Sequence, residues 1–202
     1  MVTIIDMGLG NVNSVHRALK HLNVPNRVSA DVADIEQASK LIFPGVGNFF
    51  EVSKRLFATG MVDVIREQVL VKKKPLLGIC LGMQLLASYG EEGGESRGLD
   101  LIKARVKRLK SEGLGLRLPH VGWNDVSSPM PLFSNIESNA CFYFVHSYAM
   151  VLEERVESAA CYYGEDFICA VKKGNVVGVQ FHPEKSQGPG IQLLKNFLDG
   201  AC

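Results

Sequence analysis

Residues 75–84 read Pro75-Leu-Leu-Gly78-Ile-Cys80-Leu-Gly82-Met-Gln84. An apolar run of strand length delivers a cysteine straight into a helical pattern over residues 81–88, with a glycine two positions away on either side. That order is the cysteine form of a nucleophile elbow. Glycines are expected there because a Cβ at either flank would collide with neighbouring backbone. The helix starting at Leu81 would aim free N–H groups and the positive end of its dipole at the sulfur, favouring the thiolate and offering the Leu81 amide to a developing oxyanion. Taken alone, the pattern fits a buried structural cysteine in a tight turn equally well.

Outward from the elbow, short β-branched runs alternate with helical patterns, which predicts parallel strands joined by crossover helices. Residues 2–5 read as a strand. Residues 11–22 put Val12, Val15, Ala18, Leu19 and Leu22 on one stripe, the pattern of a helix packed on a sheet. Residues 27–29 and 40–43 are further strands, the second stopped by Pro44-Gly45, and residues 50–70 are helical with a break near Gly60. This is a doubly wound α/β layout, a mostly parallel sheet flanked by helices. Beyond it, strand-like segments at 101–109, 142–148, 157–162, 167–171 and 176–180 follow one another without long helices, which predicts an antiparallel extension. Residues 190–198 place Ile191, Leu194, Phe197 and Leu198 on one face of a closing helix. No repeat or linker interrupts the chain, so residues 1–202 read as a single domain.

Composition narrows the function classes. The 202 residues are 47% hydrophobic and 21% charged, with 22 Lys+Arg against 21 Asp+Glu. A formal net charge of +1 supplies no bulk field for nucleic acid or an anionic membrane, so a partner is met through a local surface. The longest apolar stretch is too short to span a bilayer, and the start Met-Val-Thr-Ile-Ile-Asp reads as a first strand rather than as a signal peptide. A cytoplasmic protein is expected. Cys80, Cys141, Cys161, Cys169 and Cys202 are odd in number and contain no C-x-x-C pair, so neither a disulfide framework nor a zinc cluster is suggested.

A thiol nucleophile needs a base. His16 and His21 belong to the polar side of the first helix. His182, in Gln180-Phe181-His182-Pro183-Glu184, follows the last apolar strand and has a carboxylate two residues on. In extended chain the two side chains share a side, so Glu184 can hold one ring nitrogen while the other faces a thiol. A loop histidine with a chance acidic neighbour remains the bland alternative for this segment by itself.

The elbow together with Phe181-His182-Pro183-Glu184-Lys185-Ser186 resembles the triad-type class I glutamine amidotransferases. Asp6-Met-Gly8-Leu-Gly10-Asn11, Phe43-Pro44-Gly45-Val46-Gly47, Leu118-Pro119-His120-Val121-Gly122-Trp123-Asn124 and Tyr143-Phe-Val-His146-Ser147-Tyr148 narrow the likeness to glutaminase subunits of imidazole glycerol phosphate synthase. The resemblance implies a flavodoxin-like α/β fold and hydrolysis of L-glutamine to glutamate and ammonia. Cys80 is then the nucleophile, His182 the base and acid, and Glu184 its orienting carboxylate. Backbone amides of Val46, Gly47 and Leu81 would hold the oxyanion. Gly47, Gln84, Glu92, His146, Ser147 and Tyr148 match positions that bind glutamine, and Asn11, His120, Trp123, Tyr143 and Lys185 match a partner face.

The implied partner is a HisF-type cyclase/synthase subunit in a heterodimer, which uses the ammonia to make imidazole glycerol phosphate and AICAR from PRFAR. No cofactor, metal, nucleic acid or membrane is implied. Three rivals stand beside this reading. One is a paralogue feeding another amidotransfer, such as that of a nucleotide sugar in surface polysaccharide synthesis. The others are a stand-alone cysteine hydrolase and a non-enzymatic regulator, the last opposed by the intact Cys80, His182 and Glu184.

Overall fold

The computed structural model describes residues 1–8, 10–110 and 115–200. In chain order, β1 (Val2–Ile5), α1 (Val12–His21), β2 (Asn26–Ser29), α2 (Val32–Gln37), β3 (Lys40–Gly45), α3 (Phe49–Ala58) and α4 (Met61–Arg66) lead through a π-turn at Glu67–Val71 to β4 (Leu76–Cys80) and a one-turn α5 (Leu81–Gln84). Then come β5 (Tyr89–Gly90), β6 (Ser96–Arg97), β7 (Ala104–Arg108), β8 (His120–Asp125), β9 (Cys141–His146), β10 (Tyr148–Leu152), β11 (Glu157–Tyr162), β12 (Asp166–Lys173), β13 (Val176–Val179) and α6 (Gln187–Asp199).

Strands β2-β1-β3-β4-β13 pair in parallel, the 2-1-3-4-5 order of a doubly wound sheet with β13 in fifth place. Past β13 the pairing turns antiparallel through β12, β10 and β7, and β11 adds to β12. Strands β8 and β9 form a separate antiparallel ribbon.

The parallel strands are apolar at successive positions because both faces are covered. Ile4, Ile42, Leu77 and Ile79 pack with Val15 and Leu19 of α1, Phe142 and Phe144 of β9, and Leu194 and Phe197 of α6. Their chain neighbours Ile5, Leu41, Phe43 and Leu76 pack on the opposite face with Ile35 of α2, Leu56 of α3 and Ile65 of α4.

Three expectations are corrected. The helix expected over residues 81–88 lasts one turn, because Leu86 and Ala87 N–H donate to carbonyls three residues back, those of Met83 and Gln84, and Ser88 N–H donates instead to the Ala104 carbonyl of β7. The strand expected over residues 142–148 is two, broken at Ser147, whose carbonyl accepts from Leu109 N–H. Its first part joins the ribbon and its second the main sheet. The strand expected over residues 101–109 begins only at Ala104. Four elements went unread: α2, too short for a periodic signal, the two-residue strands β5 and β6, and β8, whose alternation is inverted. In β8, Val121 and Trp123 are exposed while His120 is buried.

Candidate active site

Strand β4 ends on Cys80, which sits at φ 54°, ψ −111°, a backbone conformation that costs a non-glycine residue about 1–3 kcal/mol. The flanking glycines permit it by steric necessity. A Cβ on Gly82 would lie 1.7 Å from the Phe43 carbonyl oxygen, and one on Gly78 would lie 2.7 Å from the Gly82 oxygen. With α5 only one turn long, a macrodipole contributes little. What remains for chemistry is the individual Leu81 N–H beside the sulfur.

His182 follows β13 after two residues and opens a 3-10 turn, Pro183–Lys185. Its Nδ1 lies 2.7 Å from Glu184 Oε1, and both side chains are closed to solvent. The turn is anchored through Ser186, whose Oγ donates to His182 O at 2.6 Å and accepts from Tyr143 N–H at 3.0 Å. Burial by itself would depress the His182 pKa. The neighbouring Cys80 sulfur and the Glu184 carboxylate outweigh it and lift the value to about 10. His182 Nε2 is buried and makes no hydrogen bond, so with Nδ1 given to Glu184 it is the ring nitrogen left to take the thiol proton.

Cys80 opens onto a pocket of about 190 Å³, the size of an amino acid rather than of a nucleotide. Val46 and Gly47 form one wall and Leu81 and Gln84 a second. Glu92 and the segment Val145–His146–Ser147–Tyr148 close the rest. Gly47 adopts φ +113°, a conformation open to glycine and strained for other residues, and this sets the direction of the loop amides. Glu92 Oε2 accepts from Phe49 N–H at 2.9 Å at the start of α3. Burial pushes its pKa up, and that bond holds it partly down. A larger cavity of about 550 Å³ opens where β10 and β12 pair only at Met150 and Ile168, and neither cysteine nor histidine lines it.

His146 is pinned from both ends. Its Nδ1 lies 2.9 Å from Tyr148 O, which only accepts, so Nδ1 carries the proton and Nε2 accepts from His120 Nδ1 at 3.1 Å. Burial lowers His146 to about 3 and His120 to about 4, so both are neutral. His120, stacked between Phe144 and Tyr163 at 3% exposure, does not reach the surface expected of it: its side of β8 faces the core.

Asn11 also turns inward. Its Nδ2 donates to Glu184 Oε1 and lies 3.2 Å from His182 Nδ1. The other three residues expected on the partner face do gather in one patch. Trp123 is paired in register with Tyr143, ring centroids 5.9 Å apart, and Lys185 Nζ lies 5.7 Å over the Tyr143 ring. That ring is 6.5 Å from His182, so the patch backs onto the base. Sequence reasoning passed over Ser186 and Gln180. The i, i+2 rule that joined His182 to Glu184 also reaches back to Gln180, whose Nε2 lies 3.8 Å from Cys80 Sγ.

The sequence profile described as "Glutamine amidotransferase class-I" matches residues 3–201. The chain belongs to the class I glutamine amidotransferases. Among curated relatives, this amidotransferase is 48% identical over 199 residues to "Imidazole glycerol phosphate synthase subunit HisH" of Moorella thermoacetica, covering 97% of this chain and 93% of the other. It is 42% identical over 200 residues to "Imidazole glycerol phosphate synthase subunit HisH 1" of Campylobacter jejuni (strain RM1221), covering 98% and 99%. A solved structure titled "Crystal structure of glutamine amidotransferase" superposes with a TM-score of 0.79 at 25% identity, covering 100% of this chain and 99% of that one. Among the described residues, no three His, Cys, Asp or Glu side chains are grouped to hold a metal ion, and no helix is long and apolar enough to cross a membrane.

Proposed function

We propose that this amidotransferase is the glutaminase subunit of an imidazole glycerol phosphate synthase, hydrolysing L-glutamine and passing the ammonia to a HisF-type cyclase subunit. Full-length likeness to chains of that name supports the reading. The observation that carries it is the contiguity of nucleophile, base and exposed aromatic patch: Tyr143 touches Trp123 and Lys185 on one side and His182 on the other. A free-standing hydrolase has no use for such a patch.

In this mechanism the Cys80 thiol passes its proton to His182 Nε2, and the sulfur attacks the side-chain amide carbon of glutamine. The oxyanion is held by the Leu81 N–H with amides of the Val46–Gly47 loop. Collapse of the tetrahedral adduct breaks the C–N bond, and His182 gives its proton to the leaving nitrogen, which departs as ammonia. Water, deprotonated by the same imidazole, then opens the thioester and releases glutamate. Gln84, Glu92, His146, Ser147 and Tyr148 hold the substrate, and Glu184 keeps Nδ1 protonated toward itself throughout.

A second reading, a paralogue feeding another amidotransfer, is favoured by the names "HisH 1" in Campylobacter jejuni and "HisH 2" in Pseudomonas aeruginosa, which imply that some organisms hold more than one such chain. Steady-state glutamate release, measured alone and with purified cyclase and its PRFAR substrate, separates the cases. Completion of an oxyanion hole by the partner is worth about 3 kcal/mol, or a stimulation of about a hundredfold. Cys80→Ala should then stop glutamine-dependent synthesis while synthesis from ammonium salts continues. Full turnover by the lone chain, unaltered by the cyclase, would overturn the subunit reading.

A further inference from the structure

Gln180 is fully buried, and its amide orientation is fixed by its neighbours. Gln84 Nε2 lies 2.8 Å from the Tyr148 carbonyl oxygen, which can only accept, so that atom is the NH2 group. Its second hydrogen goes to Gln180 Oε1 at 3.1 Å. The oxygen end of Gln180 is therefore occupied, and the end 3.8 Å from Cys80 Sγ is the N–H donor.

The sulfur has a second polar neighbour, the Val145 carbonyl oxygen, also at 3.8 Å. The two respond oppositely to charge. Val145 O accepts from S–H and repels S⁻, whereas the Gln180 N–H bond strengthens once the sulfur is an anion. Without Gln180, the thiolate would meet a carbonyl dipole of the wrong sign, and His182 would receive the proton against that repulsion.

We propose that Gln180, held in orientation by Gln84 and Tyr148 O, donates a hydrogen bond to the Cys80 thiolate and keeps the sulfur charged and aimed after its proton has moved to His182 Nε2. The inference rests on the reading of Cys80 as the nucleophile. It adds a side chain in contact with the reacting sulfur and gives Gln84 a positioning task besides lining the pocket.

The test uses the whole chain, with Gln180→Leu, which deletes the amide, and Gln180→Glu, which keeps an acceptor for Gln84 but turns a second oxygen toward the sulfur. A charge-assisted bond of ordinary strength predicts that kcat falls about ten- to a hundredfold in Gln180→Leu, and further in Gln180→Glu, with KM within about twofold. Alkylation by iodoacetamide, read at Cys80 by peptide mass mapping because the exposed Cys141 reacts as well, should have its pH profile displaced upward by about one unit in Gln180→Leu. Profiles that superimpose on that of the unaltered chain, or a loss confined to KM, would overturn the proposal. Gln180→Glu is nearly isosteric, so it answers the question if Gln180→Leu does not fold. Cys80→Ala runs beside both: full activity there sinks the nucleophile itself, whereas an inactive Cys80→Ala with unaffected Gln180 variants sinks only the role given to Gln180.

Discussion

His182 Nδ1 lies 2.7 Å from Glu184 Oε1 across a single proline, with both side chains sealed from solvent. The carboxylate therefore decides which ring nitrogen is left for the sulfur, and it stabilises the imidazolium formed when the thiol is deprotonated. Such members act as a unit. Cys80→Ala and His182→Ala should each lower glutamine turnover by roughly a thousandfold or more, and the double variant scarcely further. Glu184→Gln should be milder. Additive losses in steady-state kinetics would show that Cys80 and His182 serve separate sites.

Asn11 Nδ2 donates to the same Glu184 oxygen, while Glu184 Oε2 is buried without a partner. Removing the amide leaves the carboxylate with His182 alone. Asn11→Ala should lower kcat by about tenfold with KM little changed, the worth of one hydrogen bond to a charged group. Asn11→Asp, which sets a second carboxylate there, should be worse. A kcat untouched in both would remove Asn11 from the triad's support.

The elbow glycines make a stability prediction. Gly82→Ala drives a Cβ into the Phe43 carbonyl and should cost about 3 kcal/mol or more. Gly188→Ala, in α6 with nothing within 4 Å of the added carbon, should be neutral or stabilising by up to about 1 kcal/mol. Urea midpoints of the two variants check the contrast.

His120 and His146 are held neutral well below the usual histidine pKa, at about 4 and about 3. The unfolded chain takes up their protons as pH falls through about 6.5, and the folded chain does not until pH 4 to 3. Their contribution to stability is therefore full above about 6.5 and lost progressively between about 6.5 and 3, by about 3 kcal/mol for the pair at pH 5.5, of which His182, raised to about 10 and so gaining stability on acidification, offsets about half. Denaturant unfolding at pH 7.5 and 5.5 measures it. A His146→Gln variant should lose less on acidification, and an equal loss would put the acid sensitivity elsewhere.

Trp123 and Lys185 flank Tyr143 on the exposed side of the ribbon. With the cyclase subunit present, Trp123→Ala and Lys185→Ala should each reduce its stimulation of glutamate release about tenfold while basal turnover stays within about twofold. Full stimulation in both variants would move the docking face elsewhere.

The local chemistry of the chain was legible in its sequence. Strands buried on both faces write themselves as nearly continuous apolar runs, as in Val2–Ile5 and Leu76–Cys80, and α1 shows its stripe at helical spacing. The elbow is a contiguous decapeptide, and His182 and Glu184 are two residues apart, so their relation follows from backbone period alone. Resemblance added the pocket residues, which the fold gathers from four separate segments.

What only the tertiary structure decided lies between segments far apart in the chain. Asn11 meets Glu184 across 173 positions, and Gln180 meets Cys80 across 100. The Ser88 N–H is claimed by the Ala104 carbonyl of β7, and the helical ladder of α5 ends after one turn. The ribbon β8–β9 turns Trp123 outward and His120 inward, against the apolar-inside rule. A side chain's burial or partner is a property of what packs against it, and a single sequence records only the neighbours along its own backbone.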